Sequence, residues 1–310
     1  MSELEDKVAG SLLGFAIGDA LGLPLDGLSI YQTFNLYHST IDGYFPDKRR
    51  GTPPGQYGPQ TVCALAFAKS IADSGKINPE TIIQAEDIIL KHSRAKYEYP
   101  TLFARSAVVG LVAGVKNYSD QELANAIKTW RDNCNYNIDW TDSLACLMFA
   151  FVIREIIARP ELYKNPIDLY DGAESLLERV CVFCRNRESK KEDLKEELSA
   201  RLESCRHKLM ENESDSTRFV GIHGSGPGAP EILATSFFCY FRAPDSHETI
   251  FDAVSTAGAA SMRGSIVGAL VGATIGASYF QQGMKDTLSN GANIVLLGER
   301  IAKCLMAPSI

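Results

Sequence analysis

Apolar residues recur every three to four positions along most of the chain, the period expected of amphipathic α-helices. The first such segment follows Ser2 and Glu5, which have the spacing of a capping box, and it ends near Gly22 and Pro24. Further helical patterns occupy residues 60–74, 79–92, 101–115, 119–132, 140–158, 230–242, 246–280 and 290–306. Strand-like alternation is scarce, so the pattern predicts an all-α protein.

Residues 25–59 break the periodicity, because this stretch is rich in Gly, Pro, Tyr and Asp, and we expect irregular structure there. No linker or short tandem repeat divides the chain. A length of 310 residues is within reach of one large helical domain. We therefore predict a single domain over residues 1–310.

Residues 185–216 form a charged segment, in which an apolar stripe still follows helical spacing. The stripe consists of Leu194, Leu198, Leu202, Cys205 and Leu209. Two interpretations remain open: a solvated amphipathic helix inserted on the domain surface, which we favour, or a helix that pairs with a partner.

Glycines recur every four residues in two of the predicted helices, first at Gly10, Gly14 and Gly18 and later at Gly264, Gly268, Gly272 and Gly276. Glycine inside a helix costs roughly 0.5–1 kcal/mol relative to alanine, so repeated glycines indicate a packing requirement. A spacing of four places each set on one ridge, where another backbone can approach closely. The two helices are predicted to lie at the centre of the fold, each against a close neighbour.

The formal net charge of −7 gives the protein no electrostatic reason to bind nucleic acid or an anionic membrane. The apolar stretch at residues 264–280 is short for a membrane span and rich in small residues, which favours a buried helix. We expect neither nucleic acid nor a membrane as a partner, and the sequence pattern predicts no particular oligomeric state.

Eight cysteines are spread along the chain, mostly within apolar helical patterns. Met1 leads directly into an acidic stretch without a signal-peptide pattern, so we expect reduced cysteines and a cytoplasmic location. Cys181 and Cys184 form the one close pair. A redox or half-zinc role for this pair is less favoured than burial as small core residues.

The first glycine ridge continues into Gly18-Asp19-Ala20-Leu21-Gly22, and the second is preceded by Ala257-Gly258. These motifs, with Pro54-Gly55-Gln56-Tyr57 between them, resemble the opening, closing and first acidic motifs of the ADP-ribosylglycohydrolase superfamily. The resemblance implies an orthogonal multi-helix bundle with a two-magnesium cleft. It also implies hydrolysis of the bond that joins ADP-ribose to a protein side chain or related acceptor.

The chain departs from this family pattern at the expected metal ligands. On the resemblance, the four ligand Asp positions fall on Pro59, Gln60, Ala259 and Ser261, and a Thr position falls on Met262. Magnesium prefers hard oxygen ligands that include carboxylates, and these side chains supply none. We therefore expect no metal, no other cofactor and no catalytic residues. Pro59 is well placed to begin a helix.

A vestigial cleft is expected where the family motifs survive. Asp19 matches a family Asp, and Asp26 stands near the place where many members carry a Glu. The expected cleft residues are Asp19, Asp26, Thr61, His223, Gly224 and Ser225. The glycine-rich stretch at residues 221–230 would either cradle a phosphate ahead of the next helix or form a flexible loop, and His223 is expected to be exposed within it.

Among relatives with an altered site, the chain resembles the branch of the jellyfish lens J-crystallins and selenoprotein J, to which a structural role is attributed. The favoured hypothesis is a non-enzymatic, soluble structural protein such as an eye-lens crystallin. The alternatives are a module that binds an ADP-ribose-like small molecule without hydrolysing it, and a metal-independent ADP-ribosyl hydrolase.

Overall fold

The computed structural model describes residues 1–38, 41–92, 102–134, 138–163, 166–187 and 192–307. The α-helices among them are α1 (Glu3–Gly22), α2 (Ile30–Tyr37), α3 (Pro59–Ser74), α4 (Pro79–His92), α5 (Leu102–Val115), α6 (Asp120–Asn133), α7 (Trp140–Ala158), α8 (Pro166–Arg185), α9 (Glu192–Met210), α10 (Ser216–His223), α11 (Ala229–Arg242), α12 (Glu248–Ser255), α13 (Ala260–Ile275), α14 (Gln282–Thr287) and α15 (Gly291–Met306). Within those ranges, the one extended pairing is an isolated bridge between Asp47 and Thr52. The prediction of an all-α protein is confirmed.

Local sequence signals account for many helix starts. Ser2 accepts a hydrogen bond from the Glu5 N–H at 3.2 Å, and the Glu5 carboxylate accepts one from the Ser2 N–H at 3.0 Å. This completes the predicted capping box. Pro59 occupies the first position of α3 after Gly58, as expected for a residue without an N–H to satisfy.

The structure corrects the sequence prediction in several segments. The stretch at residues 25–59 contains α2, whose start is fixed by a second capping box between Ser29 and Gln32. The pattern at residues 246–280 is not one helix, because Ala257 and Gly258 adopt positive φ values of 60° and 67° between α12 and α13. Four helices (α2, α8, α10 and α14) were not predicted from periodicity. Three of the four are eight residues or shorter, which leaves too few turns for a period to stand out.

The two glycine ridges pack against each other at the centre of the fold. A Cβ atom at Gly14 would overlap the carbonyl oxygen of Gly268, and one at Gly268 would overlap the carbonyl oxygen of Gly14. The same relationship joins Gly18 to Gly264. The prediction of two central, closely packed helices is confirmed, with the addition that α1 and α13 are each other's neighbours.

Two aspartates fasten the ends of these central helices. Near the start of α1, Asp6 accepts hydrogen bonds from the N–H and the hydroxyl of Ser278, at 2.9 and 2.6 Å. Just beyond the end of α1, Asp26 accepts from the N–H and the hydroxyl of Ser261, at 2.8 and 2.6 Å. One carboxylate at each end therefore fixes the register of the antiparallel pair.

The charged helix α9 packs on the body of the protein through its apolar stripe. Leu198, Leu202 and Cys205 are fully buried, and α9 lies against α8 and α11. The side chain of Leu194 lies outside the described residues. Arg201 pairs with Glu197 at 3.0 Å, as the spacing of four predicts, and it also donates to the His223 carbonyl of α10 at 2.7 Å. These contacts favour a packed surface helix over a free partner helix.

The segment Glu3–Leu25 is long and apolar enough to cross a membrane by length and composition, but 94% of its apolar window is buried inside the fold. The other apolar stretch of interest, at residues 264–280, lies mostly in α13, whose residues from Ala260 to Thr274 are buried. It is a core helix of the structure, as expected.

Candidate functional site

Asp19 forms the buried floor of the site where α1 meets the start of α3. Its Oδ2 atom accepts hydrogen bonds from the Gly58 N–H at 3.0 Å, the Thr61 N–H at 3.0 Å and the Thr61 hydroxyl at 2.7 Å. Asp19 is fully buried, and this burial raises the pKa of its carboxyl to about 7, despite the donors that oppose the shift. The contact between Asp19 and Thr61 brings together two of the expected cleft residues, and it caps the first turn of α3.

Asp26 forms the rim of the site. The residue is partly exposed, whereas Ser261, whose N–H and hydroxyl bind its carboxylate, is buried. Burial of the carboxyl raises its pKa, while the bonds from Ser261 and the charges of Arg50 and Arg49 act in the opposite direction. Ser261 is therefore a hydrogen-bond donor to the Asp26 carboxylate.

Gln60, which precedes Thr61 at the start of α3, binds Ser261 at the rim. Its Nε2 atom lies 2.9 Å from the Ser261 hydroxyl oxygen. A serine hydroxyl has one proton, and this proton is directed to Asp26. The amide of Gln60 must therefore donate to Ser261, which leaves Gln60 Oε1 as an acceptor. Two residues at expected metal positions are thus joined to each other.

Two arginines hold the backbone beneath the rim. Arg49 donates to the carbonyl oxygens of Asp26 at 2.9 Å and Pro24 at 3.0 Å. Arg50 donates to the carboxylate of Asp47 at 2.9 Å. Both guanidinium groups lie close enough to lower the pKa of the Asp26 carboxyl, but their hydrogen bonds go to other oxygens.

The turn between α12 and α13 depends on a buried arginine that sequence reasoning missed. Arg263 is fully buried and donates to the Thr256 hydroxyl at 2.5 Å and to the Ala257 carbonyl at 3.0 Å. Ala257 is in the left-handed region, which is uncommon for a residue with a side chain. The arginine thus stabilises the turn at Ala257. The next residue, Gly258, contacts the backbone beside Asp26, because the Gly258 carbonyl accepts a hydrogen bond from the Gly27 N–H at 2.8 Å.

The glycine-rich stretch lies beside the altered closing motif. The Ser225 carbonyl accepts from the Ala259 N–H at 2.9 Å, which places Ser225 next to the start of α13. Gly224 lies against the carboxylate of Glu231, because a Cβ there would come within 2.8 Å of Glu231 Cδ. An acidic side chain at this place disfavours a phosphate in the loop.

His223 is not an exposed loop residue, because it is the last residue of α10 and is partly buried. Its ring stacks on Phe219 with centroids 4.2 Å apart, and its Nε2 lies 3.1 Å from the Ser204 hydroxyl oxygen of α9. Burial and the nearby charge of Arg201 lower the pKa of the imidazole. These contacts direct His223 toward α9.

The residues present do not fit the two magnesium ions that the family resemblance implies. Pro59 and Ala259 contribute no side-chain oxygen, and the proton of Ser261 is committed to Asp26. Met262 is buried and offers a soft thioether. In the part of the chain that the structure describes, no group of three or more His, Cys, Asp or Glu side chains could hold a metal ion.

Cys181 and Cys184 lie in α8, and both side chains are buried. Burial raises the pKa of each thiol to about 12. Reactive thiols are exposed and have lowered pKa values, so this environment favours the structural interpretation of the pair.

Comparisons with known proteins agree with the architecture. The family model described as ADP-ribosylglycohydrolase matches residues 1–133 and 101–308. A protein of Archaeoglobus fulgidus described as uncharacterized is 22% identical over 271 residues, which cover 85% of this chain and 86% of that protein. A solved structure titled "ADP-ribosylglycohydrolase-related protein complex" superposes with a TM-score of 0.70 at 19% identity, covering 99% of this chain and 100% of that one. The structural likeness extends over the whole bundle.

Proposed function

This chain belongs to the ADP-ribosylglycohydrolase family, and we propose that it is a member without hydrolase activity that serves a structural role. The observation that supports the proposal is the bond between Gln60 and Ser261 at 2.9 Å, together with the bond from Ser261 to Asp26 at 2.6 Å. Metal-dependent hydrolases use the ion to activate water and to stabilise developing charge. Side chains that bind each other at the expected ligand positions do not supply that chemistry.

The proposal is tested by assaying hydrolysis of an ADP-ribosylated protein with and without magnesium, using an active family hydrolase as the positive control. We expect no turnover by the wild-type chain above the blank. Metal-dependent turnover would contradict the proposal that the altered ligand positions hold no catalytic magnesium. Metal-independent turnover would favour the hydrolase alternative, with Asp19, Asp26 or His223 as acid or base.

The structural role that we propose is that of a soluble lens crystallin in the cytoplasm. Its support is the combination of an altered site with an intact core, in which the ridges of α1 and α13 interlock at Gly14 and Gly268. Quantitative proteomics of dissected tissue tests this role. A crystallin is expected among the most abundant lens proteins, and absence from the lens would contradict the assignment.

A second candidate is a module that binds an ADP-ribose-like molecule. The contact between the Ser225 carbonyl and the Ala259 N–H favours it, because this contact places the glycine-rich stretch at the start of α13, where Ser261 binds Asp26. Since the Glu231 carboxylate lies against Gly224, the expected contacts of this stretch are with ribose hydroxyls rather than with phosphates. Thermal melting with millimolar ADP-ribose tests binding, since a ligand at 100 times its dissociation constant stabilises a protein by about 2.7 kcal/mol. A shift that Asp26→Asn abolishes would support this candidate, and no shift would exclude it in favour of the structural role.

A further inference from the structure

The outer face of α2 exposes three large apolar side chains next to one another. Tyr31, Phe34 and Ile30 are 74%, 62% and 48% exposed. Phe34 lies one helical turn from both of the others, so the three side chains form one patch. In the rest of the described chain, exposed large apolar side chains occur singly, as at Ile222 and Leu296. Single exposed apolar residues are normal in folded proteins, whereas a contiguous patch indicates a binding surface.

The inner face of α2 is held firmly by the fold. Thr33 and Tyr37 are buried, and the Tyr37 hydroxyl donates to the Pro46 carbonyl at 3.1 Å. The capping box between Ser29 and Gln32 fixes the start of the helix. The exposed patch is therefore presented by an ordered element, and a partner that binds it need not order the helix first.

A run of exposed basic residues adjoins α2. It consists of Lys48, Arg49 and Arg50. The Lys48 amine donates to the Leu36 carbonyl in the last turn of α2 at 2.7 Å, and Arg49 donates to the Asp26 carbonyl just before α2 at 2.9 Å. Among the charged residues that these contacts bring to α2, the carboxylates of Asp26 and Asp47 offset two of the three positive charges. A chain of net charge −7 thus carries a local positive excess beside its apolar patch.

We propose that α2 and the basic run form a docking surface for an acidic segment of a partner protein. The apolar side chains of that segment would cover Tyr31 and Phe34, and its carboxylates would face Lys48 and Arg50. Aromatic residues and arginine are enriched at the centres of protein interfaces. Charge complementarity selects the occupant, because an acidic segment supplies the charge that the basic run lacks.

Two other occupants fit this surface less well. A second copy of the chain in a two-fold arrangement would bring the same patch to both sides of the contact, so that the two basic runs would repel each other. Anionic bilayers attract clusters of about four or more basic residues, and the net charge of −7 opposes such an approach.

Fluorescence anisotropy with labelled probe peptides tests the docking surface on the intact chain. One probe is a short helical peptide with a leucine face and glutamate at the other positions. Its counterpart carries lysine in place of each glutamate. We expect the acidic probe to bind saturably, at least about tenfold more tightly than the lysine probe, and to bind more weakly as salt is added.

Variants locate the binding energy. Tyr31→Ala combined with Phe34→Ala should weaken binding of the acidic probe at least about tenfold, because aromatic anchors carry much of the energy of an interface. Leu296→Ala is the matched control, since it also removes an exposed large apolar side chain from a helix, and it should leave binding unchanged. Lys48→Gln keeps a donor for the Leu36 carbonyl but removes the charge, so binding should become less sensitive to salt.

The comparison of the two probes uses the wild-type chain alone and does not depend on how the variants fold. Absence of binding, equal binding of both probes, or an equal loss in Leu296→Ala would overturn the proposal. Sedimentation with phosphatidylserine vesicles and sedimentation velocity of the chain alone test the other occupants. Vesicle binding or a dimer that the double variant abolishes would also overturn it. The docking surface excludes Gln60 and Ser261, so none of these results bears on the proposed lack of hydrolase activity.

Discussion

Ser261 donates its backbone N–H and its hydroxyl to the two carboxylate oxygens of Asp26, at 2.8 and 2.6 Å. The pair joins the first residues after α1 to the first turn of α13. A position that the family resemblance assigns to a metal ligand is used in this chain as a hydrogen-bond donor. The predictions below follow from this use of the site and from the packing around it.

Replacing Ser261 with alanine is expected to lower the free energy of unfolding by about 1–3 kcal/mol, because the Gln60 amide and the Asp26 carboxylate each lose a buried partner. Urea denaturation measures the change. Ser278→Ala is the matched control, since Ser278 binds Asp6 in the same way in an exposed environment. We expect the control to lose less than about 1 kcal/mol. Equal losses of unfolding free energy in the two variants would show that burial does not strengthen the Ser261–Asp26 hydrogen bonds relative to the Ser278–Asp6 bonds.

Gly14→Ala is expected to destabilise the protein by at least about 3 kcal/mol or to prevent folding, because the added Cβ would overlap the Gly268 backbone. The matched control is Gly283→Ala in α14, where a Cβ would meet nothing within 4 Å. That substitution should change the unfolding free energy by under about 1 kcal/mol. Chemical denaturation of both variants decides the question, and tolerance of alanine at Gly14 would refute the ridge packing.

Asp19 is expected to make the stability of the protein fall as pH rises. Its pKa is raised from 3.8 to about 7 in the folded state, so the native protein binds more protons than the unfolded chain between those values. The unfolding free energy then decreases with increasing pH, by at most about 1.4 kcal/mol per pH unit from this group. Asp19→Asn should remove that part of the slope in denaturation experiments from pH 4 to 8. A wild-type slope identical to that of the variant would show that the carboxyl titrates normally.

Cys181 and Cys184 should resist a thiol reagent in the native protein, because both are buried and the pKa of each thiol is about 12. Cys304 is partly exposed and should react earlier. Ellman's reagent followed by peptide mapping gives the order of modification. Rapid labelling of Cys181 and Cys184 in the folded protein would support a redox role for this pair.

Much of the fold could be predicted from residue spacing alone. The period of four placed Gly10, Gly14 and Gly18 on one ridge, and the structure confirms that this ridge receives another backbone. What spacing could not supply was the identity of the neighbour, because the pairing of α1 with α13 joins segments that are far apart in the chain. The break at Ala257 also escaped prediction, since its left-handed turn is stabilised by Arg263 rather than by a local turn motif.

The sequence motifs placed Asp19 and Thr61 in one expected cleft, but they did not indicate which side chains of the site bind each other. Asp19 and Thr61 meet as the motifs indicate, at 2.7 Å. The partnership of Gln60 with Ser261 links positions 201 residues apart in sequence, and nothing local to either residue indicates it. His223 shows the opposite case, since its glycine-rich surroundings predicted exposure, whereas contacts with Phe219 and α9 partly bury it.

Isothermal titration calorimetry with magnesium tests the central claim most directly. We expect no saturable binding by the wild-type chain up to millimolar magnesium, because the expected ligand positions carry no carboxylate. The restored variant with Pro59→Asp, Gln60→Asp, Ala259→Asp and Ser261→Asp should acquire binding, provided that circular dichroism confirms its helical fold. Saturable magnesium binding by the wild-type chain, lost in Asp19→Asn, would contradict the account.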